Sequence, residues 1–83
     1  CYIGDLLSWV MARAQSGNVW ITVMGNVNAI AVATLTDVSC IVLTENASLD
    51  EDAAKKAEIQ GIPVYGCQAN SYQTAVQVYE RLK

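Results

Sequence analysis

The sequence predicts an α/β domain with three layers, α/β/α, around a mostly parallel sheet of three to four strands. Three observations carry this. Val19–Val23 and Ser39–Thr44 are short apolar runs rich in β-branched residues, joined by the turn Met24–Asn28 and the small-residue helical segment Ala29–Leu35. Strand, turn, helix and strand in that order form a βαβ unit, because parallel strands need a crossover and right-handed crossovers dominate. The alternation continues on either side of this unit, with helix-capping residues at regular offsets. The order is therefore α-β-α-β-α-β-α, with a short further strand at Cys1–Gly4.

After Cys1–Gly4 comes a helix expected over Asp5–Gln15, with Asp5 as N-cap and Ser16-Gly17-Asn18 as its stop. Leu6, Leu7, Val10, Met11 and Ala14 form its inner stripe. Trp9 falls on another face, either as a partly exposed packing residue or as an interface anchor, since aromatics are enriched at interfaces. Val19–Val23 is apolar almost throughout, as expected of a strand buried on both faces of a parallel sheet.

Asn28–Leu35 is a helix with almost no polar face: Ala29, Ile30, Ala31, Val32, Ala33 and Leu35 surround it with apolar groups. A helix apolar all round is buried all round, which in a small domain calls for a second surface. A homodimer is the expectation, with Trp9, Ile30, Val32 and Ala33 at its interface. Thr36-Asp37 ends this helix, and Cys40 then lies inside the next strand as a small buried hydrophobe.

Ser48-Leu49-Asp50-Glu51 matches the S-x-x-E capping box, so a third helix is expected from just after Ser48 to about Gln60. It stops at Gly61, with Pro63 beyond. It is the most polar helix and faces water, with Leu49, Ala53, Ala54, Ala57 and Ile59 available for contact. Ile62–Gly66 is a third short strand that tolerates Pro63 near its start. Asn70-Ser71 caps the last helix, with Gln73 in a box-like position. Tyr72, Ala75, Val76, Tyr79 and Leu82 recur at helical spacing and are expected to pack on the sheet, with Gln77, Glu80, Arg81 and Lys83 outside.

Composition narrows the function. The 83 residues make one domain, whose thin core buries about 60–65% of the surface of the unfolded chain. Yet 53% of the residues are hydrophobic, a proportion that favours burial against a partner. The abrupt start at Cys1-Tyr2-Ile3 suggests that a segment precedes it. Eight acidic and five basic residues give a net charge of −3, and no basic patch exists to hold a phosphate backbone. No apolar run is long enough to span a bilayer and nothing resembles a signal peptide. Three scattered cysteines without a C-x-x-C pair argue against a disulfide scaffold and for a reducing cytoplasm. Histidine is absent, which removes the commonest zinc partner and the usual general base; no metal or cofactor is expected.

Ligand chemistry belongs at the carboxyl edge of the sheet, where parallel strands gather their loops. That rim carries Gly25, Asn26, Asn28, Thr44, Glu45, Asn46, Cys67, Gln68, Asn70 and Ser71. Amides and hydroxyls at helix N-termini suit an anion such as a phosphate or an adenine nucleotide, although the same residues are also ordinary caps and turn formers. Gly25-Asn26-Val27-Asn28 is neither a G-x-G-x-x-G nor a P-loop. Glu45 is the only carboxylate expected on the rim and lacks a partner for acid/base work. Cys67 is a surface thiol without a histidine to activate it.

Several pieces in order resemble one family. They are Gly4-Asp5-Leu6-Leu7-Ser8-Trp9-Val10-Met11, Trp20-Ile21-Thr22, Asn28-Ala29-Ile30-Ala31-Val32-Ala33, Ile41-Val42-Leu43-Thr44-Glu45 and Gly61-Ile62-Pro63-Val64. Together they are similar to the DRTGG-domain family, most of all to stand-alone members resembling proteins encoded beside clostridial iron-hydrogenase components. The resemblance implies a small α/β domain that often dimerises and has no catalytic role of its own. In larger relatives it accompanies nucleotide-sensing CBS domains of regulated pyrophosphatases or precedes a phosphotransacetylase, and it resembles the N-terminal domain of the HPr kinase/phosphorylase. Here Asn26-Val27-Asn28 stands in place of the Asp-Arg element and Thr44-Glu45-Asn46 in place of Thr-Gly-Gly. Only Thr44 keeps the family's residue. The resemblance thus implies a cytoplasmic regulatory or assembly domain, accessory to a hydrogenase or energy-metabolism system, with nucleotide or anion sensing at the rim as the alternative.

Overall fold

The computed structural model describes residues 1–82. In chain order the elements are β1 (Tyr2–Ile3), α1 (Leu7–Arg13), β2 (Val19–Thr22), α2 (Val27–Thr36), β3 (Cys40–Leu43), α3 (Glu51–Gln60), β4 (Val64–Gly66) and α4 (Ser71–Leu82). All neighbouring strands pair in parallel, in the order β1-β2-β3-β4. The chain is the expected α/β domain with a four-stranded parallel sheet.

This strand order has a consequence for the helices. Right-handed crossovers between successive neighbouring strands put every connecting helix on one face of the sheet. α2 accordingly packs against both α1 and α3. The register carries one row straight across the sheet, Tyr2, Trp20, Ile41 and Val64, and this row lies beneath the three helices. Trp20 is fully buried and its indole N–H donates to the Gly4 carbonyl at 2.9 Å. Val10 of α1, Ala29, Ile30, Val32 and Ala33 of α2, and Ala53 and Ala57 of α3 complete the core.

The other face carries the row Ile3, Ile21, Val42 and Tyr65. α4 packs on β2 here and leaves Ile21 fully buried, while Ile3 and Tyr65 at the row's two ends stay exposed. Three helices, a sheet and one helix make the three layers, with unequal cover on the two faces.

The apolar helix α2 finds its cover within the chain. It is the middle helix of three, with α1 and α3 at its flanks and the sheet below. Ile30, Val32 and Ala33 are buried in this core and offer nothing to a second molecule; of the four residues expected at an interface, Trp9 alone is on the surface. The outer side of α2 is narrow, with Asn28, Thr34 and Leu35 exposed.

Local differences from expectation have local causes. Asp5 does not cap α1; its carboxylate is drawn to the end of β2, so the helix begins at Leu7 without a side-chain cap. In the short α1 and at its two caps, Val10 is buried and Leu7 and Ala14 are half-buried, whereas Leu6 and Met11 are exposed. α3 starts at Glu51, after Asp50, and Ser48 makes no cap. Its end at Gly61 is as expected, in the left-handed region at φ 71° that a glycine adopts without strain. Ala54 and Ile59 of this helix face outward. Cys40 is half-buried, on the α4 side of the sheet beside Val19.

α4 shows the largest difference. Its buried side is formed by Ser71, Thr74, Ala75 and Val78, all buried or half-buried. Tyr72, Val76 and Tyr79, expected on the sheet, are exposed. The side chain of Leu82, and Lys83, lie outside the described residues.

Candidate functional site

Because the four strands run in parallel, their following loops meet at one edge, and backbone bonds lock those loops together. The Asp50 N–H donates to the Gly25 carbonyl at 2.7 Å, tying the β3–α3 loop to the β2–α2 loop. The Glu45 N–H donates to Ala69 at 2.8 Å and the Asn46 N–H to Cys67 at 2.9 Å, tying the β3–α3 loop to the β4–α4 loop. These two donors are aimed by consecutive left-handed residues, Glu45 at φ 54° and Asn46 at φ 59°. Asn tolerates that conformation, while Glu adopts it at a cost of roughly 1 kcal/mol.

Gly25 permits the first of these ties. A Cβ built there would collide with the Ser48 carbonyl oxygen. Only a residue without a side chain lets the two loop backbones come so close.

The expected rim residues divide into three groups. Asn26 is the N-cap of α2, its side-chain oxygen accepting from the Ala29 N–H at 3.0 Å. Thr44 and Ser71 meet through their hydroxyls at 3.2 Å, with Thr44 fully buried, so this pair joins the end of β3 to the start of α4. Asn28, Glu45 and Asn46 point their side chains to the surface. The capping box at α4 is as expected: Asn70 accepts from the Gln73 N–H at 2.8 Å, and Gln73 accepts in return from the Asn70 N–H at 3.3 Å.

Two clusters were not expected. Asp5, in the β1–α1 loop, brings a further carboxylate to this edge, beside Glu45 and Asp50 of the β3–α3 loop. It accepts from the Thr22 hydroxyl at 2.6 Å and from the Val23 N–H at 3.0 Å. Thr22 in turn accepts from the Met24 N–H at 3.2 Å. The one available signal was Thr22, a polar residue closing the strand Val19–Thr22 on the face that turns toward the core. The second cluster is Cys67, half-buried, whose sulfur lies 3.3 Å from the Thr74 hydroxyl. Burial pushes the Cys40 thiol above its ordinary pKa, whereas its place in the sheet keeps it away from these loops.

Chemically, this edge is a set of short polar bridges between loops. Its buried hydroxyls and its caps are satisfied by one another, and no buried side-chain polar atom among the described residues lacks a partner. Among the described residues no three His, Cys, Asp or Glu side chains come together as a metal site. No helix among them is long and apolar enough to cross a membrane.

Residues 5–80 match the family model of the DRTGG domain, nearly the whole chain. No curated protein and no solved structure matches the chain.

Proposed function

We propose that this chain, which belongs to the DRTGG-domain family, is a non-catalytic regulatory module that acts by assembling with a second copy of itself. The family is one of regulatory-type domains. The observation that carries the assembly reading is where the apolar surface lies. Leu6 just before α1, Trp9 and Met11 of α1, and Tyr72, Val76 and Tyr79 of α4 are exposed, on a chain whose polar edge is already engaged with itself. Large apolar groups exposed along one helix are what a contact surface needs, and each of these two helices offers such a set on its own face of the sheet. Trp9 is already partly dressed, with the Arg13 guanidinium 3.9 Å above its ring. Absence of histidine and the engagement of Asp5 with Thr22 support a role without catalysis. The resemblance to proteins encoded beside iron-hydrogenase components supports a cytoplasmic accessory setting for that role.

A second reading is a sensor of an adenine nucleotide or another anion, bound over Gly25, Asn26, Asn28, Thr44, Glu45, Asn46 and Ser71. The observation favouring it is the locking of three loops at one edge, which ties the loops that lead into α2 and α4 to the β3–α3 loop between them. Amide-resolved NMR tests both readings on one sample. Dilution from millimolar to micromolar should move signals of α4 or α1, while ATP, ADP and AMP leave the spectrum unchanged. Saturable nucleotide shifts confined to the rim, with a spectrum insensitive to dilution, would replace assembly by sensing.

A further inference from the structure

We infer that the assembling surface is the outer stripe of α4, paired antiparallel with the same stripe of a second copy across a two-fold axis. This rests on the self-assembly reading above and goes beyond it by naming the element and the geometry.

The first ground is the orientation of α4. Its apolar stripe recurs at i, i+4 and i+7, yet the helix turns that stripe away from the sheet and lays Ser71, Thr74, Ala75 and Val78 on it instead. Tyr72 is 77% exposed, Tyr79 63% and Val76 37%. An amphipathic helix with its aromatic side turned outward offers a ready-made contact surface.

The second ground says what fits there. A two-fold contact is isologous, so the surface must complement itself. The stripe is close to symmetric about Val76, with a tyrosine on each side, one turn away along the helix. Reversed and laid on itself, it sets Val76 against Val76 and Tyr72 against Tyr79. The polar border also reverses onto itself. Gln73 and Glu80, seven residues apart, follow one edge of the stripe, so the reversed copy brings the Gln73 amide beside the Glu80 carboxylate on both sides of the axis. Gln73 already uses its side-chain oxygen on the Asn70 N–H, which leaves its amide N–H groups to donate. Antiparallel helices further oppose their dipoles favourably.

The test uses the full chain in three forms. Val76→Glu should weaken self-association at least tenfold by light scattering, while its helical circular dichroism stays that of the wild type. Ile59→Glu, the same kind of change on an exposed apolar residue of α3, should leave association as it is. In a Cys1→Ser background, Val76→Cys should cross-link as a dimer under mild oxidation faster than the background chain alone. A wild-type dimer that Val76→Glu does not weaken and Val76→Cys does not link would overturn the α4 interface while leaving self-assembly standing. A wild-type chain that stays monomeric at millimolar concentration would overturn both.

Discussion

Gly25 stands where two loops cross, and its role is steric. Alanine would put a methyl group on the Ser48 carbonyl, and backbone rather than a flexible side chain would have to move. Gly25→Ala should therefore lower unfolding free energy by about 3 kcal/mol, in the range of overpacking, as read by urea denaturation. An unchanged midpoint would show that the loops part without cost. Cys40 gives a prediction with a pH sign. Its thiol is raised by burial, so the folded chain keeps a proton that the unfolded chain loses first. Stability from this group is complete below the ordinary thiol range, near pH ~8.5, and is lost as pH rises through the folded value. Cys40→Ala should flatten the alkaline decline in urea midpoint; an identical decline in both proteins would remove Cys40 as its source. Residues that act on near neighbours were legible in sequence. Asn70 and Gln73 cap each other three positions apart, and Gly61 ends its helix from within. Asp5 was not, because its partners Thr22 and Val23 lie across the sheet edge and outcompete the local cap.

At the scale of elements, α2 and α4 show two ways in which periodicity reaches its limit. For α2 the sequence shows a helix that must be surrounded but not by what. The answer is α1, α3 and the sheet, which follows from being the middle crossover of three. Two changes on α2, one buried and one exposed, separate these roles. Val32→Glu puts a carboxylate into the core at a position only 4% exposed and should abolish the folded state, seen as loss of helical circular dichroism. Leu35→Lys, at 71% exposure, should shift stability by less than about 0.5 kcal/mol. A soluble, folded Val32→Glu chain would contradict the buried placement of α2. For α4 the stripe Tyr72, Val76 and Tyr79 was visible in sequence, but spacing tells which residues share a face and not where that face points. The short residues Ser71, Thr74 and Ala75 are the ones α4 buries, and the helix packs on β2.

The whole molecule is a lopsided sandwich. Its βαβ logic was legible from the runs Val19–Val23 and Ser39–Thr44, because strand length, β-branching and caps are encoded locally. Strand order was not, since pairing of distant segments leaves no periodic trace in the chain. Once the order β1-β2-β3-β4 is fixed, three helices share one face and a single helix must serve the other. The lighter face is where Ile3, Tyr65 and the outer side of α4 remain exposed, and the proposed self-assembly through α4 uses that side of the molecule. Sedimentation equilibrium of the full chain across a wide concentration range tests that claim most directly. Self-assembly through α4 gives a reversible rise from the 9.0 kDa monomer to twice that mass, weakened by Val76→Glu. A mass that stays at 9.0 kDa up to millimolar concentration would contradict it.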